Sequence, residues 1–510
     1  MTFLIVLTTN VPGSLTWVSE SHPMKRLMTA SIALSTGLSS LIAIPIDHAS
    51  AATCGSPGSS YGQLFPGLPD ASWDVTDLRA LSTAMIAAVD EPTAPGALDP
   101  EDNAAIPAAY TYFGQFVDHD LTLDDRPDDL TTPTDPSTLV NARTPQLDLD
   151  SLYGNGPTSS SQLYESDHVH LLVGASLTGS RDLGARDLPR DASGRAIIGD
   201  PRNDENRIVA GIHSLFIRFH NVTVDRIRRR NPNMSSSVLF ARARQEVVNA
   251  YQWIVLTDYL PRIVGQKTVD NTVRRRGSRW VTTLRNYTSC ASMPIEFSAA
   301  AYRFGHSQVR AFYRINSSTD PLPVFSGTFV PGSDLTGFSP SPSTFGIDWN
   351  LFVPSRSGTA QPSYKIDGSL THSLSLLPLP TTGVGPANLA LRNLLRGQQL
   401  GLPSGQDVAR AMGVTPLPDS QILIGAATGD PTDQRPITDI SANFAGSAPL
   451  WVYVLAEAGR NPSGRLGPVG GRLVAETIVG LLASDPTSIV ARSGAKSPVT
   501  NLWGLVNSVR

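Results

Sequence analysis

The strongest constraint on this chain is a pair of long stretches with helical periodicity near its centre. Residues 206–230 place Ile208, Ile212, Leu215, Phe219, Val222 and Ile227 at helical spacing. The first stretch ends in Arg228-Arg229-Arg230, cations suited to the carbonyl end of a helix. Residues 235–264 repeat the pattern and are expected to stop around Pro261. Shorter helical patterns fall at 78–89, 104–118, 298–312, 387–396, 405–412, 449–458 and 469–482. The chain has 42 glycines and 40 prolines, which predicts long irregular connections, above all across 124–203. No 20–50-residue repeat and no alternating strand–helix rhythm is present. Although 510 residues would allow several domains, the pattern predicts one large, mainly α domain with long loops and little β structure.

The N-terminus reads as a leader. Lys25-Arg26 precede an apolar stretch from Leu27 to Ile44, and Ala49-Ser50-Ala51 supplies the small residues of a cleavage site. Ser31, Thr36 and Ser39 dilute the stretch, and Pro45 and Asp47 end it, which favours secretion over a retained anchor. Translation from Met24 would give the charged end its usual place. The expected divisions are a signal region at 1–51, an extended arm at 52–80 and a main domain at 81–510, with no membrane span in the mature chain. Cys54 and Cys290 outlast cleavage and are free to pair outside the cytoplasm. Two cysteines exclude a four-cysteine zinc site, and there is no C-x-x-C. A net charge of −4, with no basic run carrying interleaved aromatics, argues against nucleic acid as a partner.

The segment richest in chemistry is Tyr112-Phe113-Gly114-Gln115-Phe116-Val117-Asp118-His119-Asp120. On a helix, Gln115, Asp118 and His119 share one face, and Asp120 turns away from it. An imidazole beside carboxylates can act as a general base or bind a metal. The segment resembles the distal helix of the animal-type haem peroxidases. That resemblance implies that His119 is the distal acid–base residue, that Asp118 forms an ester with haem, that Gln115 joins the distal hydrogen bonds and that Asp120 binds calcium.

Further motifs follow in the family's order. Thr144-Pro145-Gln146-Leu147-Asp148-Leu149-Asp150 resembles the calcium loop, with Thr144, the Gln146 carbonyl, Asp148 and Asp150 as oxygen donors. The family often has serine where Asp150 stands, so the site here is more negative. Asp200-Pro201-Arg202-Asn203-Asp204-Glu205 resembles the segment with the catalytic arginine, Arg202, and a second ester-forming acid, Glu205. Asn206 stands where some relatives carry a methionine bonded to haem, so no such bond is expected. Tyr302-Arg303-Phe304-Gly305-His306 resembles the proximal motif, which makes His306 the iron ligand. Asn393 resembles the family's partner to that histidine, and Arg396 an arginine that contacts a haem propionate. His213, Arg218, His220 and Asn221 match a further family pattern and are expected to be structural, and His168 and His170 to lie on a surface loop.

The resemblance therefore implies an animal haem peroxidase-like fold holding haem b, ester-linked through Asp118 and Glu205, and calcium. The implied activity is a secreted peroxidase that reduces hydrogen peroxide and oxidises small donors (halide, pseudohalide or phenolic) through a ferryl-haem intermediate. Two other readings stand beside it. Fatty-acid dioxygenases of the same superfamily carry a tyrosine three residues before the proximal histidine, where this chain has Arg303 and places Tyr302 one position off. A calcium-dependent adhesion module without catalysis is the other; the set His119, Arg202, His306 and Asn393 argues against it. Donor choice depends on channel shape and stays open, as does oligomeric state.

Overall fold

The structure is a computed structural model that describes residues 59–93, 97, 99–124, 130–287, 292–327, 330, 332–355, 360–377 and 385–510. The leader and the Cys54–Cys290 pairing lie outside the described residues. Helices dominate, and the strands form only two-stranded antiparallel sheets. A principal hydrophobic core runs from Tyr61 to Val509, with a small satellite around Val169 and Leu239. Among the described residues no helix is long and apolar enough to cross a membrane.

At the centre is the helix Ala109–Leu121, buried on nearly every side. A helix so enclosed is a core element rather than a surface amphipath. It begins later than its periodicity predicted, because Asp102–Pro107 is a strand paired with Pro362–Tyr364 and Pro107 bars helix across that junction. Packed against the central helix is Arg207–Arg230, whose start is capped by Asn206 Oδ1 accepting from the Ile208 amide at 2.8 Å. Phe116 and Phe216 stack between the two at 5.1 Å.

The second long stretch ends at Val264, as its expected span has it, three residues past Pro261. Helix Ser236–Ile254 passes through one π turn, Val255–Tyr259, into helix Leu260–Val264. The wider turn changes the hydrogen-bond spacing just ahead of the proline, so the ring sits in the first turn of a restarted helix, where its missing N–H costs nothing. The pattern at 298–312 also departs from a simple helix. A π turn at Glu296–Ala300 gives way at Ala300 (φ −135°, ψ −77°) to 3₁₀ turns over Ala301–His306, and Phe312–Tyr313 is already strand. Glu296 fastens this segment by accepting from the Leu64 and Phe65 amides at 2.9 and 3.0 Å. Beneath it lies helix Leu450–Gly459, whose Trp451 Nε1 donates to the Arg303 carbonyl at 3.2 Å.

Candidate active site

A narrow cleft separates the central helix from the 3₁₀ segment. Gln115 and Asp118 line one wall, and Tyr302, Phe304 and His306 the other. The roomier surface clefts beside Trp280 and beside Arg472 contain no histidine. Gly114 keeps the first wall thin, since a Cβ there would lie 2.6 Å from the Tyr259 hydroxyl.

His119 is fully buried and one turn past Gln115. Its Nδ1 lies 2.9 Å from Asn203 Oδ1, and an amide oxygen can only accept, so the proton sits on Nδ1 and Nε2 keeps its lone pair. The Asn203 Nδ2 in turn donates to His213 Nδ1 at 3.0 Å, which fixes both histidines through one side chain. Burial, and then the Arg202 guanidinium, lower the His119 pKa to about 3. The ring is neutral and available as a base. Asn203 was not singled out from the sequence; its position between Arg202 and Glu205 was the available signal.

Arg202 is also buried. It pairs with Asp200 at 2.7 Å and donates from Nη2 to the carbonyls of His119 and Thr122 at 3.1 and 2.6 Å, closing the carbonyl end of the central helix. Among the described residues its Nη1 has no hydrogen-bond partner. Glu205 accepts from Gln115 Nε2, lies 3.9 Å from His119 Nε2, and leaves Oε2 buried with no hydrogen-bond partner among the described residues. Burial pushes the Glu205 pKa well above the usual carboxylate range. A buried guanidinium nitrogen and a buried carboxyl oxygen left unsatisfied beside a cleft are the groups a polar cofactor would engage. With His306 on the opposite wall, they are the groups that a haem bound here would meet.

On the opposite wall His306 Nδ1 lies 2.7 Å from Asn393 Nδ2, while Asn393 Oδ1 accepts from Arg303 Nη1 at 2.8 Å. The expected pairing is present with the amide turned the other way. A histidine that coordinates through Nε2 carries its proton on Nδ1 and needs the amide oxygen there, so coordination requires the Asn393 amide to rotate and Arg303 to give up that bond. Arg396, one turn from Asn393, pairs with Asp124 at 3.0 Å.

Asp120 points away from the cleft, as its helical position predicted. Its carboxylate meets those of Asp148 and Asp150, with one oxygen from each lying within 4.8 Å of the others. Thr144 Oγ1 donates to Asp148 and Asp150 at 2.9 and 3.2 Å, and Ser151 Oγ to Asp120 at 3.2 Å. Gln146 stands in the same loop, its amide donating to the Thr144 carbonyl at 2.7 Å. Leu149 adopts φ +60°, a left-handed conformation that a leucine holds only when its surroundings impose it. Burial, with Asp148 alongside, raises the Asp150 pKa to about 7. Three crowded carboxyls, one buried and two half-buried, form with the neighbouring hydroxyls an oxygen-rich site suited to a hard divalent cation.

A row of charges joins this loop to the cleft. Arg143 reaches Asp150 at 3.7 Å and Asp200 at 2.7 Å, and Asp200 holds Arg202. The other motif residues have structural partners. His220 meets the Tyr153 hydroxyl and the Val169 carbonyl, Arg218 pairs with Asp182 at 2.6 Å, and the Asn221 amide bonds both ways with the Leu171 backbone. His170 sits between Asp167 and Asp225 near the surface.

Comparisons with known proteins bear on the family and the fold. Human thyroid peroxidase is 26% identical over 379 residues, 69% of this chain, and peroxinectin A of Dictyostelium discoideum is 25% identical over 43% of it. The chain spans 38% of either relative's own length. Among solved structures, peroxidase A of Dictyostelium discoideum superposes with a TM-score of 0.63 at 19% identity, covering 90% of this chain and 94% of that one. A fatty acid α-dioxygenase of Arabidopsis thaliana superposes at 0.58 with 17% identity, covering 89% and 76%. These two share the fold. The sequence profile of the animal haem peroxidase family matches residues 125–485, most of the chain, and the protein belongs to that family.

Proposed function

We propose that the protein is an extracytoplasmic haem peroxidase that reduces hydrogen peroxide and oxidises small donors. The observation that carries this reading is a neutral His119, its Nδ1 proton tied to Asn203, beside a cleft whose far wall presents His306. His306 would hold the iron with Asn393 behind it, and Asp118 and Glu205 are the carboxyls for ester links. Haem supplies the electrons that split peroxide and the oxidising equivalents passed to the donor. His119 Nε2 takes a proton from peroxide and returns it to the departing oxygen, which leaves as water. Arg202 stabilises the negative charge that gathers on that oxygen as the O–O bond breaks. Gln115 holds the Glu205 carboxyl toward the cleft. Asp120, Thr144, Gln146, Asp148 and Asp150 would bind calcium and so fix the end of the helix that carries His119. The leader pattern before residue 52 supports export.

The dioxygenase reading has less support, since Arg303 rather than tyrosine stands three residues before His306 and is engaged with Asn393. The deciding experiment is His119→Ala in haem-loaded protein, followed by stopped-flow absorption. The Soret band is expected to remain and the reaction with peroxide to slow by about 10²–10⁴-fold. An unchanged rate refutes the role of His119, and oxygen uptake with linoleate in place of guaiacol oxidation refutes the peroxidase reading.

A further inference from the structure

Residues 271–295 and 486–510 together hold eight of the chain's 40 arginines and lysines and none of its 44 acidic residues. Such segregation is conspicuous in a protein of net charge −4. The fold brings the two stretches together. Strands Val273–Arg276 and Arg279–Thr282 form a hairpin, and its tip meets the second stretch through Gly494 N donating to the Ser278 carbonyl at 2.9 Å and the Ser278 and Ser493 hydroxyls at 3.1 Å. Exposed Lys496 follows two residues on.

Register sorts the hairpin's side chains. Arg276 lies directly opposite Arg279, and Arg274 opposite Val281. Because strand side chains alternate, Arg274, Arg276 and Arg279 share one face, and all three are exposed. Among the described residues none forms an ion pair, although Arg274 donates to the Asp270 carbonyl and, at 3.4 Å, to Asn271 Oδ1. Like charges directly across a ladder destabilise it, so hairpin stability does not account for this pairing. The arginine run at the end of Arg207–Arg230 differs, because it lies at a helix carbonyl end and Arg228 there pairs with Asp167 at 3.3 Å.

We infer that this arginine face binds an extended acidic polysaccharide, with Arg274, Arg276 and Arg279 holding successive carboxylate or sulfate groups. Guanidinium forks match both groups bidentately. Arginines two apart on a strand are roughly 7 Å apart and cross-strand partners about 5 Å apart, spacings that a chain of charged sugars can follow. Nucleic acid fits less well. The nearby aromatic rings, Trp253 and Trp280, pack on each other at 5.6 Å on the opposite face, where Arg275 lies 5.5 and 5.9 Å from them. Neither of these two rings lies on the arginine face, where base stacking would need one. A bilayer fits less well too, since the Gly277-Ser278 tip offers no apolar anchor.

The test uses haem-loaded full-length protein and measures binding to heparin and to polygalacturonate at several salt concentrations. The variant is Arg274→Gln/Arg276→Gln/Arg279→Gln, and the control, equal in charge change, is Arg195→Gln/Arg229→Gln/Arg230→Gln. The hairpin variant is expected to bind at least tenfold more weakly, with a log–log salt slope shallower by about two, while the control binds as wild type. Both should keep peroxidase activity and melting temperature. If the triple variant does not fold, Arg276→Gln alone should give a measurable loss. No binding to either polymer, equal loss in the control, or tighter binding to single-stranded RNA or anionic phosphatidylserine vesicles would each overturn the assignment.

Discussion

Replacing Asn203 by leucine tests the most specific element of the site. Leucine is of similar size and hydrogen-bonds to nothing, so the change removes the acceptor for His119 Nδ1 and the donor to His213 Nδ1 with little change in packing. Both ring atoms stay buried. Each orphaned group costs about 1–3 kcal/mol, so folding should weaken by roughly 2–6 kcal/mol, read as a lower urea midpoint at an unchanged m-value. The kinetic effect is separate. Without Asn203 the His119 ring loses the bond that keeps its proton on Nδ1, and the tautomer with Nε2 protonated cannot serve as base. The peroxide step should slow by about tenfold or more, as expected when general base catalysis is impaired. Asn203→Asp should restore the rate at neutral pH, because a carboxylate also accepts from Nδ1, and should move the acid limb of the rate profile upward by favouring the charged imidazole. A leucine variant with wild-type stability and wild-type peroxide kinetics would refute the argument.

Other expectations follow from charge and oxygen chemistry. EDTA should lower the thermal midpoint of the wild type, whereas Asp120→Ala should start lower and show no response to EDTA; a wild type indifferent to EDTA would remove the cation site. Acid–acetone should extract haem from Asp118→Asn/Glu205→Gln and leave it on the wild type, and equal extraction from both would exclude ester links. Stability should peak near about pH 5, because two sets of groups oppose each other. His119 and His213, lowered to about 3, and His220, lowered to about 4, stay neutral when folded but take protons when unfolded, so their contribution is lost as pH falls below 6.5. Glu101, raised to about 8, and Asp367 and Glu457, raised to about 7, hold protons when folded, so their contribution is lost as pH rises toward 7–8. Urea unfolding free energies that climb steadily up to pH 8 would contradict this balance.

The helical class was legible from local pattern, whereas the two walls of the cleft were legible only through the motifs that resemble the family. Helical geometry alone set Asp118 and His119 on one face and Asp120 on another, and in the structure Asp118 lines the cleft while Asp120 joins Asp148 and Asp150. Features set by distant contacts were not legible. The helix continues through Pro261 because a π turn precedes it, and nothing in a hydrophobic period records a change in hydrogen-bond spacing. The 298–312 pattern counts apolar residues correctly, yet those residues are buried by consecutive tight turns pinned by Glu296 to residues far away in sequence. Asn203 escaped notice because its two partners are 84 and 10 residues distant, in different helices. The turned amide of Asn393 is a matter of which neighbour wins a hydrogen bond, a contest between Arg303 and His306 that no sequence motif expresses.

The charge row Asp150–Arg143–Asp200–Arg202 has an evolutionary consequence. Arg202 and Asp200 are almost wholly enclosed, and Arg143 and Asp150 nearly so. An exchange at any one position strands an opposite charge away from water, which costs far more than the pair contributed. Drift along this row is therefore expected to be correlated: neutralising Arg143 becomes tolerable only with a matching change at Asp150 or Asp200.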